Sequence, residues 1–371
     1  MKTLDDFDFK GKIVLVRVDI NSDYVKRKVI LNERIKAHAE TIKELKKKRA
    51  RVVVIGHQGR PGEADFTNLS QHAKLLNKYV KIKFVNDVIG EKAKKSISKL
   101  KDGEALLLDN IRGLKQEFED NINNRFVKVL SKICDIYVND AFSVSHRIQA
   151  SIVSFPKVIP SCIGRIMQRE LEALKKIKVK NLLYILGGAK PEDNIILLKG
   201  KKALACGLFG QICHISKGFD YGYQNEFLKN KLGVIKELKR KLKNVELPED
   251  FAIKVKGKRK ELKLEDFPSK YEIYDIGKKT IERYVKEIKK AKAIYMKGTA
   301  GDCSDKDFCK GTKTILKAVE NSGAFSVIGG GHLSDAAAKL GIKKINHISL
   351  SGGALLEYMA GKKLPGLEVL K

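Results

Sequence analysis

Ten short apolar runs, most of them separated by amphipathic stretches, limit what this chain can fold into. In the first half they are "KIVLVRVDI" (12–20), "RVVVIGH" (51–57), "IKFVND" (82–87), "EALLLDNIR" (104–112) and "DIYVNDAF" (135–142). The first is apolar almost throughout rather than alternating, which is the pattern of a strand covered on both faces in a parallel sheet. Between them, "ERIKAHAETIKELKKK" (33–48), "LSQHAKLLNKYV" (69–80) and "EDNINNRFVKVLSKI" (119–133) read as helices. Such βαβα repetition predicts an α/β fold with a doubly wound parallel sheet.

The alternation stops at "SFPKVIPSCIG" (154–164), which holds two prolines and a glycine. "RIMQRELEALKKI" (165–177) then reads as one uninterrupted helix. A chain of 371 residues exceeds one ordinary core. We therefore expect two doubly wound domains, 1–160 and 179–354, joined by a hinge helix within 161–178, with 355–371 as a C-terminal segment. The second-half runs "NLLYILGGAK" (181–190), "KALACGLFG" (202–210), "KAIYMKGTAG" (292–301), "AFSVIGGG" (324–331) and "NHISLSGGA" (346–354) all end in glycines. Ligands of open α/β sheets sit at the carboxyl ends of strands. Glycines there let backbone N–H groups approach phosphates, so a polyphosphate, most simply a nucleotide, is expected. "AIKVKGKRKELKLEDFPSKYEIYDIG" (252–277) is charged and irregular, and reads as a surface excursion holding a hairpin.

The net charge is +31, but lysines are spread along the chain, aromatics are sparse and tryptophan is absent. Stacking platforms for single strands need aromatics, so an anionic small molecule with a solvated lysine surface is favoured over nucleic acid. No apolar run reaches the length of a membrane span. The N-terminus has acids where a secretory signal has an apolar stretch, so a cytoplasmic location is expected. The six cysteines (134, 162, 206, 213, 303, 309) form no CxxC pair and are expected as free thiols.

Parallel strands would place the first-half strand ends on one edge. Asp19 and Asn21 follow the first run, and Arg34 opens the next helix. His57 and Arg60 follow the second, Arg112 ends the fourth, and His146 and Arg147 follow the fifth. Any one of these is more often a surface ion pair or a core histidine. Together, four arginines and two histidines form a basic bowl, with a cationic His146–Arg147 pair on its wall. Arginine's planar fork suits carboxylate and phosphate.

The segments "VLVRVDIN", "GHQGRPG", "LLLDNIR", "YVNDAFSVSHR", "ILGGAK", "AFSVIGGG" and "SGGALLEYMAGKKLPG" resemble, in order, those of the phosphoglycerate kinase family, most of all its archaeal branch. The resemblance implies reversible phosphoryl transfer between 1,3-bisphosphoglycerate and MgADP, giving 3-phosphoglycerate and MgATP. It implies that Asp19, Asn21, Arg34, His57, Arg60, Arg112 and Arg147 hold 3-phosphoglycerate, with His146 lining that site. Gly187, Gly188, Ala189, Lys190, Gly207, Gly301, Gly329, Gly330, Gly331 and His332 would line the ATP or ADP site. Arg34, Lys190 and the N–H groups of Gly330 and Gly331 would stabilise the transferring group as the domains close. The C-terminal segment would return to the first domain. A monomer without membrane or specific nucleic-acid partner is expected. The sequence departs from the family pattern in several places. Asp23 follows Ser22 where proline is usual, and Asn194 stands for a second lysine after "GGAK". "KGTAGDCS" replaces "NGPMGVFE", with Ser304 for the ribose-contacting glutamate. His332 replaces the aspartate tied to the metal–nucleotide, and Asp335, one turn on, is the alternative carboxylate for Mg²⁺. A same-fold binding or regulatory protein with a weakened nucleotide site is the competing reading.

Overall fold

The computed structural model describes residues 1–177, 181–198 and 200–371, and these divide into two compact units. Unit one comprises Met1–Leu171 and Gly353–Lys371; unit two is Glu172–Gly352.

Unit one contains β1 (Ile13–Arg17), a small ribbon of β2 (Tyr24–Val25) and β3 (Lys28–Val29), then β4 (Arg51–Ile55), β5 (Lys83–Val85), β6 (Ala105–Leu108), β7 (Ile136–Asn139) and β8 (Ser161–Ile163). Its main sheet runs β5-β6-β4-β1-β7-β8, and every neighbouring pair is parallel. Alternate residues of each strand serve opposite cores. Val14, Val16, Val52 and Val54 pack with Ile35, Ile42 and Leu45 of helix Glu33–Lys47. Leu15, Val53, Leu106 and Tyr137 pack with Phe126 and Phe155 on the other face. Burial on both faces is why these strands read as unbroken apolar runs.

The proline-bearing break is not wholly a loop. Ser161–Ile163 adds to β7 as an edge strand, starting right after Pro160, where a missing N–H costs the sheet nothing. Helix Arg165–Ile177 covers the residues read as one helix. Asp140, just past β7, caps it: Oδ1 accepts from Ile166 N at 2.8 Å and Met167 N at 3.3 Å.

The C-terminal segment returns to unit one. Tyr358 meets Phe142 at 6.1 Å between ring centroids, and Val369 packs on Ala141, Val144, Ile152 and Val153. Gly366 N donates to Ser145 O at 2.9 Å.

Unit two holds β9 (Leu182–Leu186), β10 (Ala203–Ala205), β11 (Val245–Glu246), β12 (Asp250–Val255), β13 (Lys258–Lys263), β14 (Ile273–Ile276), β15 (Ala293–Lys297), β16 (Phe325–Gly329) and β17 (His347–Ser349). Its parallel sheet runs β11-β10-β9-β15-β16-β17. The order reverses between β9 and β15, which is where open α/β sheets form a ligand crevice. The charged excursion is a β12–β13 hairpin with β14 on the other side of β12, all antiparallel. Lys256 and Gly257 take φ of 47° and 76° at its turn, the two left-handed positions of a tight hairpin.

A Cβ at Gly366 would lie 2.6 Å from Ile152 Cγ2 and 3.0 Å from Ser145 Cα. Gly366→Ala should therefore overpack this joint and cost about 1–3 kcal/mol. Urea denaturation would show it as a lowered midpoint with little change in slope; an unchanged midpoint would mean that the joint yields freely.

Candidate active site

The carboxyl edge of the unit one sheet gathers the predicted polar residues. Asp19 is buried; its Oδ2 sits 2.8 Å from Arg34 Nη1 and accepts from Ser143 Oγ. Burial is the largest single influence and works against its charge, but Arg34 together with smaller contributions, the Ser143 hydrogen bond among them, outweighs it and holds the carboxyl well below the usual carboxylate range. Asn21 Oδ1 accepts from Gly59 N at 2.8 Å, which sets the turn carrying Arg60. Arg60 is exposed, 3.6 Å from Glu63. Arg112 is buried; its Nη1 donates to Gly59 O, whereas its Nη2 has no partner among the described residues. Burial, then Arg147 and Arg17, push Arg112 down to about 10. Arg147 is half-buried and lowered by burial and then by Arg60. Four guanidinium groups thus stand close enough to repel one another, one with an unfilled buried donor. Such a gathering of cations favours the approach of an anion.

The histidines do not add charge to this bowl. Arg17, fully buried at the end of β1, places Nη2 3.0 Å from His57 Nδ1. Guanidinium has only donors, so His57 Nδ1 must accept, which puts the ring proton on Nε2. Burial and then Arg17 hold His57 well below its usual value. It is therefore a neutral donor, not a cation. His146 is also lowered, by burial and then by Arg147, so the expected cationic His146–Arg147 pair is one cation beside a neutral ring. His146 lies against the start of helix Gly353–Met359, with Nε2 3.5 Å from where a Cβ on Gly353 would be.

In unit two the predicted glycines divide into two kinds. Gly187, at the end of β9, donates to Lys297 O at 2.7 Å, and Gly188 N donates to Thr299 O at 3.0 Å. A Cβ on Gly187, Gly207 or Gly298 would run into the backbone of the neighbouring turns, and one on Gly301 into Phe308 O and Asp275. Glycine at these positions is required by the chain crossing itself, and two of their amides are already engaged. Gly329 is buried at the end of β16. Gly330 (φ 104°) and Gly331 have open space where a Cβ would stand, at the N-terminus of helix Gly331–Lys339. Ala189 and Lys190 are exposed before helix Pro191–Ile195. A cleft of about 760 Å³ is lined by Thr299, Asp302, Ser304, His332, Asp335 and Lys339. Cys303 and Cys309 also line it and are joined, contrary to the expectation of six free thiols; their Cα atoms lie 4.4 Å apart. The other four cysteines are free and buried. Among the described residues no three His, Cys, Asp or Glu side chains gather as metal ligands, and no helix is long and apolar enough to cross a membrane.

Sequence reasoning missed Arg17, Ser143 and His38, and weighed only a charge-neutralising role for Asp140. His38 links Asp140 to the bowl: Nε2 accepts from Asp19 N at 3.2 Å, and Nδ1 donates to Asp140 Oδ2 at 2.9 Å. The signal was present for Arg17, since a charge inside an apolar strand must have a buried partner.

The sequence matches the profile of the phosphoglycerate kinase family over residues 4–362. It is 39% identical to phosphoglycerate kinase of Methanothermus fervidus, over 100% of this chain and 96% of that protein. It is 40% identical to the enzyme of Saccharolobus solfataricus, over 99% and 96%. The fold superposes on the crystal structure of phosphoglycerate kinase from Pyrococcus horikoshii with a TM-score of 0.92 at 37% identity, covering 100% of this chain and 98% of that one.

His72 supports the bowl from below, with Nε2 3.0 Å from Gln58 Oε1, and burial pushes it down to about 4. A folded value below the unfolded 6.5 means stability is complete above pH 6.5 and is lost as pH falls toward 4. Between pH 6.5 and 5 this one group should cost about 2 kcal/mol. His72→Asn should lose less stability than the parent over that interval in urea titrations; parallel curves would contradict the assignment.

Proposed function

The chain belongs to the phosphoglycerate kinase family, and we propose that its two strand-edge sites divide that family's reaction between them. The reaction moves a phosphoryl group reversibly between 1,3-bisphosphoglycerate and ADP. Unit one would hold the glycerate and unit two the nucleotide. The observation that carries the first assignment is the unfilled Arg112 Nη2 among mutually repelling arginines. Arg60, Arg112 and Arg147 would take the phosphate of 3-phosphoglycerate. Asp19, Asn21 and the Nε2–H of neutral His57 would orient its hydroxyl and carboxylate. A neutral donor suits this position, because it binds an anion without changing charge over the neutral pH range.

The carboxylate that attacks or leaves carries no proton, so no general base is required. Catalysis then rests on in-line positioning and charge neutralisation. Arg34 of unit one, Lys190, and the amides of Gly330 and Gly331 would meet the transferring group. The open space at those two glycines supports a close backbone approach. Mg²⁺ would arrive on the nucleotide phosphates, with Asp335 the carboxylate offered to it from the cleft wall. The two substrates are assigned to different units, so transfer requires their alignment, with helix Arg165–Ile177 as the hinge. We further take the enzyme to work in the cytoplasm as a monomer, since both substrates are small and soluble; sedimentation at other than the mass of one chain would overturn the monomer.

A coupled assay with 3-phosphoglycerate and MgATP, with a metal-free control, tests the activity. Arg112→Met should raise KM for 3-phosphoglycerate about 10–100-fold, the worth of one charged hydrogen bond, and leave MgADP affinity unchanged. Equal losses for both ligands would sink the two-site assignment. Lys190→Ala should lower kcat on the order of 10²–10³-fold, with smaller effects on affinity. Loss of MgATP affinity at full kcat would make Lys190 a binding residue only.

A further inference from the structure

Lys297 ends β15 at the point where the unit two strand order reverses, and its side chain is 14% exposed. Its Nζ lies 2.9 Å from Asp193 Oδ2, on the short helix that follows Lys190. Main chain ties the two segments together, since Gly187 N donates to Lys297 O at 2.7 Å and Gly188 N to Thr299 O at 3.0 Å. The amine is therefore held beside the Gly187–Lys190 turn. Asn194 cannot supply charge there. It is fully buried and directed inward, its Nδ2 donating to Gly187 O at 2.9 Å, and its Oδ1 has no partner among the described residues.

We propose that Lys297 is a second cation for the terminal phosphates of the nucleotide, acting with Lys190 and replacing from β15 the charge that Asn194 lacks. This rests on the assignment of the nucleotide to unit two. Three observations point to a ligand rather than a purely structural ion pair. The ammonium is mostly withdrawn from water, yet its ion-pair partner Asp193 is 39% exposed and easily released to solvent. The lysine sits at the strand-order reversal, where α/β sheets receive ligands. Burial lowers Lys297, and the charge of Lys190 adds to this, so the two ammonium groups are near enough to oppose each other until an anion joins them. Binding of phosphate would relieve that repulsion, with Asp193 as the resting partner that keeps Lys297 in place beforehand.

The test compares both ends of the ion pair. Lys297→Met should lower kcat about 10–100-fold and weaken MgATP binding, by calorimetry, about tenfold. Asp193→Asn, which breaks the same pair but leaves the amine, should keep kcat within about threefold of the parent. Lys297→Arg, which keeps the charge, should fold normally and retain more activity than Lys297→Met, so a folding defect cannot pass for the effect. Equal losses for Lys297→Met and Asp193→Asn, in rate and in melting temperature, would show that the pair is only structural. Unchanged kcat in Lys297→Met would also overturn the proposal. Failure of the parent to bind MgATP at all would instead strike the nucleotide assignment itself.

Discussion

A guanidinium buried at the end of the central strand organises unit one. Arg17 has no exposure, so every donor needs an acceptor inside the protein. It finds Ser151 Oγ at 3.0 Å, Val18 O and the ring of His57. Ser151 is in turn held by Glu117, whose oxygens accept from Ser151 Oγ at 2.6 Å and Ser151 N at 2.9 Å. One side chain thereby joins β1, the turn after β4, and the short helix Ala150–Val153. It also settles the chemistry above it by leaving His57 with a single outward donor. Removing one member of such a buried charged set typically costs about 3–5 kcal/mol, so the bowl and the fold are maintained by the same contacts.

Parallel pairing then decides where chemistry can occur. All carboxyl ends of a parallel sheet share one edge, and residues far apart in sequence meet there. In unit one that edge carries Asp19, His57, Arg112 and Arg147. In unit two the same constraint brings the turn after β9 against the turn after β15, closely enough that no Cβ fits at Gly187, Gly207 or Gly298. The line from Asp19 through His38 to Asp140 runs from the bowl to the first turn of helix Arg165–Ile177. The bowl residue Asp19 and the residue that caps this helix are thus two hydrogen bonds apart.

The strands were legible because burial on both faces leaves an unbroken apolar run. β8 was not, since three residues between a proline and a glycine carry too little pattern. Helix Arg165–Ile177 was legible to the residue because its apolar spacing is clean. For the site, residue types and strand ends were enough to gather Asp19, Arg34, Arg60, Arg112 and Arg147. Charge states were not readable. His57 is neutral because of burial and then an arginine forty positions away, and His146 because of burial and its neighbour. Nor does a glycine declare its reason. Gly330 faces open space, whereas Gly301 is pressed against Asp275 and Phe308, and the letters are the same. The Cys303–Cys309 bond was unreadable because a spacing of six matches no motif, and only the turn after β15 brings the two together.

The central claim is that glycerate and nucleotide bind separate units, each at the carboxyl edge of its own sheet. Hydrogen–deuterium exchange with each ligand alone tests it most directly. With 3-phosphoglycerate, slowed exchange should concentrate at residues 19–22, 57–60, 112–114 and 143–148. With MgADP, it should concentrate at 187–191, 299–306 and 330–335. Protection of the same segments by both ligands, or protection of the unit one edge by MgADP alone, would contradict the account.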